Sequence, residues 1–143
     1  MKYGMDETKI QVNFLKALIN KRQVIFCEGL EGKTGLSDGC ACFFIPDERM
    51  FLDRKDRKPF SIEWHISTFI NAWEVHKTEF ERTTKEGINV VEFENEQTKI
   101  WVDKKYLQYF GSDVRYYATL PKMPLYVTNE DQELLAFILP VNP

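Results

Sequence analysis

The last third of the chain, Trp101 to Pro143, most constrains the fold. Asp103 stands at a helix N-cap position, Lys104 to Phe110 gives two turns, and Gly111 stops them. Arg115 to Leu120 is then extended, and Pro121 and Pro124 form a hinge that no helix or central strand would carry. Leu125-Tyr126-Val127 and Leu134 to Leu139 flank the polar turn Thr128 to Gln132, which predicts a closing hairpin ending at Leu139-Pro140-Val141.

The rest of the chain is read from periodicity. Ile10, Phe14, Leu15, Leu18 and Ile19 recur at helical spacing, so Thr8 to Asn20 is expected to be an amphipathic helix capped by Asp6 or Thr8. Val24 to Cys27 and Cys40 to Ile45 are predicted strands, with a glycine-rich turn from Glu28 to Gly35 between them and a third strand at Met50-Phe51-Leu52. Arg54 to Lys58 reads as a charged turn. Ile62, Trp64 and Ile66 alternate as in a half-buried strand, and a helix is expected from Ser67 to about Lys77. Ile88 to Phe93 and Lys99 to Val102 form a hairpin.

The chain has 143 residues, enough for one domain with its own core. Its net charge of -3 gives no global attraction to nucleic acid, so any phosphate binding must come from a local basic face. The N-terminus has no apolar signal-like run and no segment is long and apolar enough to span a membrane, so no membrane partner is expected. Cys27, Cys40 and Cys42 are odd in number and suit reduced thiols in a cytoplasmic protein.

Candidate chemistry is sparse. Gly29 to Thr34 lacks the first glycine of a phosphate loop, since Cys27 stands there. Cys40-Ala41-Cys42 has the wrong spacing for zinc, and both thiols are expected to be buried on one strand face. His65 and His76 sit in no metal-binding pattern. Trp64, Phe69 and Trp73 are expected in the core rather than as a base-stacking platform. No cofactor and no metal is expected. Lys104 and Lys105 at a helix start oppose the helix dipole, a small cost that reads either as a solvated face or as phosphate contact. Lys9, Lys16, Lys21 and Arg22 on or after the first helix invite the same reading.

Taken in order, these segments resemble a domain of the bacterial DNA polymerase sliding clamp. Asp103-Lys104-Lys105-Tyr106-Leu107 resembles the clamp's N-x-K-Y-L helix start. Leu120 to Leu125 resembles its G-P-x-S-P segment, Asn129 to Glu133 its acidic turn, and Ile138-Leu139-Pro140-Val141 its closing V-M-P-M-R. Leu36-Ser37-Asp38-Gly39 resembles its A-T-D-G turn. Phe60 to Lys85 has no counterpart, and Cys40-Ala41 replaces the His-Arg pair that follows the clamp's turn. The resemblance implies an α+β fold of β-α-β-β-β repeats, an antiparallel sheet with two helices on one face. It divides one domain into a first half of about 1–58, an atypical middle of 59–86 and a second half of 87–143.

The function implied is a non-enzymatic, DNA-associated accessory protein, of the compact kind found in phages or mobile elements. Its expected phosphate contacts are Lys9, Lys16, Lys21, Arg22, Lys104 and Lys105. Its partners would be DNA, further copies of itself, or a replication protein. A second reading keeps the fold as a protein-interaction module, with an apolar edge at Tyr126, Phe137, Leu139, Pro140 and Val141. A third is a small hydrolase using Cys27 or His65.

Overall fold

The computed structural model describes residues 4–53 and 59–143, so the charged turn expected at 54–58 lies outside the described residues. The chain is α+β. Among the described residues, ten strands form one mixed sheet: β1 (Ile25–Glu28), β2 (Lys33–Ser37), β3 (Ala41–Pro46), β4 (Phe60–Ser61), β5 (Trp73–Thr83), β6 (Asn89–Glu94), β7 (Lys99–Asp103), β8 (Arg115–Ala118), β9 (Leu125–Thr128) and β10 (Leu134–Ile138). Their spatial order is β4-β1-β2-β3-β10-β9-β8-β5-β6-β7. All neighbours run antiparallel except β1 and β4, so the sheet is not the wholly antiparallel one expected from sequence.

Two stretches of chain repeat one order of elements. Helix α1 (Glu7–Ile19) leads into the meander β1-β2-β3, and a 3₁₀ helix (Lys104–Tyr109) leads into β8-β9-β10. The two meanders meet by antiparallel pairing of their last strands, with Phe43 opposite Ala136 and Cys42 opposite Phe137. The β5–β7 segment extends the sheet beyond β8.

Successive residues of β3 face opposite ways. Phe43 and Ile45 join Ile10 and Phe14 of α1, and Tyr106 and Tyr109 of the 3₁₀ helix, in the main core. Cys42 and Phe44 point to the other face, where Ile62, Ile66 and Phe69 cover them. Ile66 and Phe69 belong to α2 (Glu63–Phe69). Thus α1 and the 3₁₀ helix share one face of the sheet and α2 lies on the other.

Several local expectations fail for identifiable reasons. Ile62, Ile66 and Phe69 are spaced four and three apart, a helical stripe, while Trp64 is 61% exposed. The alternation of Ile62, Trp64 and Ile66 therefore misleads, and the segment is α2 rather than a strand. The helix expected over Ser67 to Lys77 gives way to β5, which pairs with β8 through its start and with β6 beyond it. This strand buries only Val75, so backbone pairing rather than apolar alternation holds it. Trp73 is also exposed, so the aromatic trio is not a core cluster; only Phe69 packs inward.

The turn expected over Glu28 to Gly35 is shorter, because Lys33 onward forms β2. Met50 to Leu52 is no strand: the buried side chain of Gln11 serves its backbone, donating from Nε2 to Arg49 O at 3.0 Å and accepting from Phe51 N at 2.7 Å. In α1, Ile10 and Phe14 are buried, but Leu15 and Ile19 stay exposed. Cys40 lies before β3 and is exposed, so the two thiols of Cys40-Ala41-Cys42 are not both buried.

Gly35 is required by close packing. A Cβ there would sit 2.5 Å from Cys42 Sγ and 3.0 Å from Cys27 Cβ. Gly35→Ala is therefore expected to cost about 1–3 kcal/mol, as overpacking of a filled core does. Urea unfolding should show this loss, and adding Cys42→Ala to the variant should recover a substantial part of it.

Candidate functional site

Three of the six cationic residues singled out by sequence, Lys16, Arg22 and Lys105, line one groove, and Phe43 packs between the two elements that carry them. Phe43 contacts Phe14 at 6.2 Å between ring centroids, Tyr106 at 6.0 Å and Tyr109 at 5.2 Å. These contacts draw α1 and the 3₁₀ helix to either side of a groove of about 480 Å³. Its apolar wall is Phe14, Ala17, Phe43, Tyr106 and Tyr109; its polar lining is Asn13, Lys16, Arg22, Gln23, Asp38, Lys105 and Gln108.

Each wall is held by specific bonds. Asp6 caps α1, accepting from Lys9 N at 3.1 Å, and its backbone N–H donates to Tyr109 O at 2.8 Å. Asn13 Nδ2 donates to Tyr109 Oη at 2.7 Å. Asp103 caps the 3₁₀ helix by accepting from Lys105 N at 3.0 Å. Lys16 lies in the last turn of α1, where a cation complements the helix dipole. Arg22 follows the cap, its N–H donating to Ala17 O at 2.8 Å.

Asp38 is the one carboxylate among the groove's lining residues, and it is fully engaged. Its Oδ1 accepts from the backbone N–H groups of Cys40 and Ala41 at 2.9 and 3.1 Å, and its Oδ2 accepts from Tyr106 Oη at 2.6 Å. Burial, then this hydrogen bond to Asp38, push the Tyr106 phenol well above its ordinary value. Lys16, Arg22 and Lys105 therefore face the opening with one carboxylate that is already committed. Lys16 and Arg22 form no ion pair among the described residues. Lys105 Nζ lies 5.0 Å from the Tyr106 ring centroid and 3.8 Å from Asp103 Oδ2.

The other expected contacts lie elsewhere. Lys9 sits beside the groove, its Nζ 6.0 Å from the Tyr109 ring centroid. Lys21 follows the end of α1 in a left-handed conformation (φ 56°) and does not line the groove. Lys104 turns to Glu81, pairing at 2.8 Å. That ion pair gives a local reason for a lysine at the helix start. Sequence reasoning missed Asn13, Gln23, Tyr106, Tyr109 and Gln108. The Asp38-Gly39 turn was visible, but its bond to Tyr106 spans 68 positions and leaves no local signal.

At the expected partner edge, Tyr126 and Phe137 are buried in the second core and offer no surface. Leu139, Pro140 and Val141 instead line a separate cavity of about 500 Å³ with Lys99, Trp101, Pro121 and Lys122. Val141 N donates to Trp101 O at 2.8 Å, which fixes the tail against β7.

A third cavity, of about 230 Å³, holds the residues of the hydrolase reading. The hydrogen bond from the Cys42 thiol lowers the Cys27 pKa against the opposing effect of burial, while Cys42 itself is pushed up. The His65 ring stacks on Phe137 at 5.1 Å, and burial lowers its pKa. No hydrogen bond joins His65 to Cys27 among the described residues, so a nucleophile–base pair is not assembled. No group of three or more His, Cys, Asp or Glu side chains is arranged to hold a metal ion among the described residues. No described helix is long and apolar enough to cross a membrane.

Comparison with protein-family models, curated proteins and solved structures finds no match for this chain.

Tyr106→Phe removes the hydroxyl from a charged acceptor and is expected to cost about 1.5–3 kcal/mol in chemical unfolding at neutral pH. The phenol's folded pKa is raised, so its contribution is present below the ordinary tyrosine value of about 10 and lost as pH rises above it. The variant should show a smaller alkaline fall in stability than the parent.

Proposed function

We propose that this chain is a non-enzymatic, DNA-associated accessory protein of sliding-clamp-like architecture. It contacts phosphates through the groove between α1 and the 3₁₀ helix. The observation that carries this reading is the convergence of Lys16, Arg22 and Lys105 on one opening, in a chain whose net charge is negative. A local cationic site on an acidic protein attracts polyanions at that site alone. The side chains are long and rotatable, two on helical turns and Arg22 just after the α1 cap, which suits backbone phosphates rather than base-edge readout.

The clamp-like part of the proposal draws on the resemblance of motifs and on the repeated order of helix followed by three-strand meander. With one such pair of meanders, the chain would surround DNA only as an assembly of copies; otherwise it lies against the duplex. Further copies of this chain, or a replication protein, are the partners that reading implies.

The proposal is tested by fluorescence anisotropy on a labelled duplex of arbitrary sequence. Three neutralised phosphates give a slope of roughly −3 in log K against log salt. Reversing Lys16, Arg22 and Lys105 to Glu should abolish binding, while Lys21→Glu and Lys104→Glu should change it less than threefold. Equal losses from both sets, or binding that ignores salt, would overturn the reading.

A further inference from the structure

The face of the sheet opposite the groove holds two cysteines that the phosphate reading does not use. Cys27 on β1 and Cys42 on β3 are both buried in the second core. Strand β2 lies between them, and side chains on strands two places apart do not ordinarily meet. Here they do, because Gly35 of β2 has no side chain: a Cβ on it would lie 2.5 Å from Cys42 Sγ and 3.0 Å from Cys27 Cβ. The two thiols hydrogen-bond through the space that the glycine leaves. We propose that Cys27 and Cys42 form a two-coordinate site for a soft monovalent cation, copper(I), held between their sulfurs.

A disulfide is the other product that two facing thiols can give, and the strand order opposes it. Backbones two places apart in a sheet stand roughly 9–10 Å from each other, beyond the about 7 Å between Cα atoms that a disulfide spans. An ion between the sulfurs replaces one short S–S bond by two metal–sulfur bonds and so bridges a wider pair. Thiolate donors select copper(I) over harder cations. Zinc takes four ligands, and no group of three or more His, Cys, Asp or Glu side chains is arranged to hold a metal among the described residues. Two donors suit an ion that is content with two. Binding leaves the oxidation state of copper unchanged: two S–H bonds are lost, two Cu–S bonds form, and two protons pass to solvent. The hydrogen bond from Cys42 lowers the Cys27 pKa, which eases the first of those losses. A cavity of about 230 Å³ lined by both thiols gives the ion its way in. The bound pair carries one negative charge, and His65, which lines the same cavity with its Nδ1 buried and unpaired among the described residues, is a group that can offset it by protonation.

The test is anaerobic titration of the reduced protein with copper(I) in competition with bicinchoninate, a chromogenic copper(I) chelator. The parent should hold one equivalent and show an ultraviolet thiolate-to-copper charge-transfer band. X-ray absorption on the loaded parent should show two sulfur neighbours and no third ligand. Cys27→Ser and Cys42→Ser should each surrender the ion to the chelator. Cys40 is exposed and is not a ligand in this proposal, so Cys40→Ser should keep the full equivalent. Excess zinc should displace none of it. The absorption measurement needs no variant, so the proposal stays testable if a serine unfolds the core. Three or four neighbours around the copper, no retention by the parent, or a loss in Cys40→Ser as complete as in the buried pair overturns the inference. Reversal of Lys16, Arg22 and Lys105 to Glu should leave copper retention unchanged, so this site and the phosphate groove stand or fall separately.

Discussion

The ring of Phe43 is the contact on which the arrangement depends. It projects from β3, the strand that joins the two meanders, and meets side chains from both helical segments and from Phe110 beyond them. Burying an aromatic side chain contributes about 1.5–3 kcal/mol by area alone, and well-formed ring pairs add to that. More important than the magnitude is its position. Phe14 and Tyr106 are far apart in sequence and are packed against this one ring. The hydrogen bonds from Asp6 N to Tyr109 O and from Asn13 to Tyr109 Oη then tie α1 to the 3₁₀ helix directly.

Charge follows from that packing. The last turn of α1 and the residues after its cap present Lys16 and Arg22, and the second residue of the 3₁₀ helix presents Lys105. The sheet brings these ends together, so a chain with excess acid concentrates base at one opening. Three neighbours limit the effect. Glu81 draws Lys104 away, Asp103 pairs with Lys105, and Asp38 remains inside the groove but engaged with Tyr106 and two backbone donors. The groove thus differs from a scattered set of surface lysines, whose charges would be separated and screened.

What the sequence made legible was local and strongly periodic. The first helix, the β6–β7 and β9–β10 hairpins and the Asp103 cap all follow from spacing and turn chemistry. The segment from Ile62 to Thr83 was misread because its apolar residues fit both a strand and a helix period. Ile62, Trp64 and Ile66 satisfy a strand pattern, yet Ile62, Ile66 and Phe69 join the second core, with Phe69 packed on Tyr117 and Tyr126 of the sheet, and that partner decides for helix. In β5 the signal runs the other way, since a strand held by β8 at its start and by β6 beyond it needs little apolar alternation. At the site, the lysines stood out as composition, but their sorting did not. Whether a lysine faces a groove or a glutamate depends on tertiary neighbours, as Lys105 and Lys104 show side by side. Tyr126 and Phe137 mark the same limit, since apolar residues near the chain's end suggested an edge and the second core absorbed them.

Hydrogen exchange with and without a short oligonucleotide reads the central claim directly, because it asks whether two elements distant in sequence act as one surface. Protection is expected together over residues 13–23 and 103–110, with little change over 139–143. Protection confined to one of the two elements, or appearing instead at the C-terminal tail and Trp101, would contradict a shared groove as the site of binding.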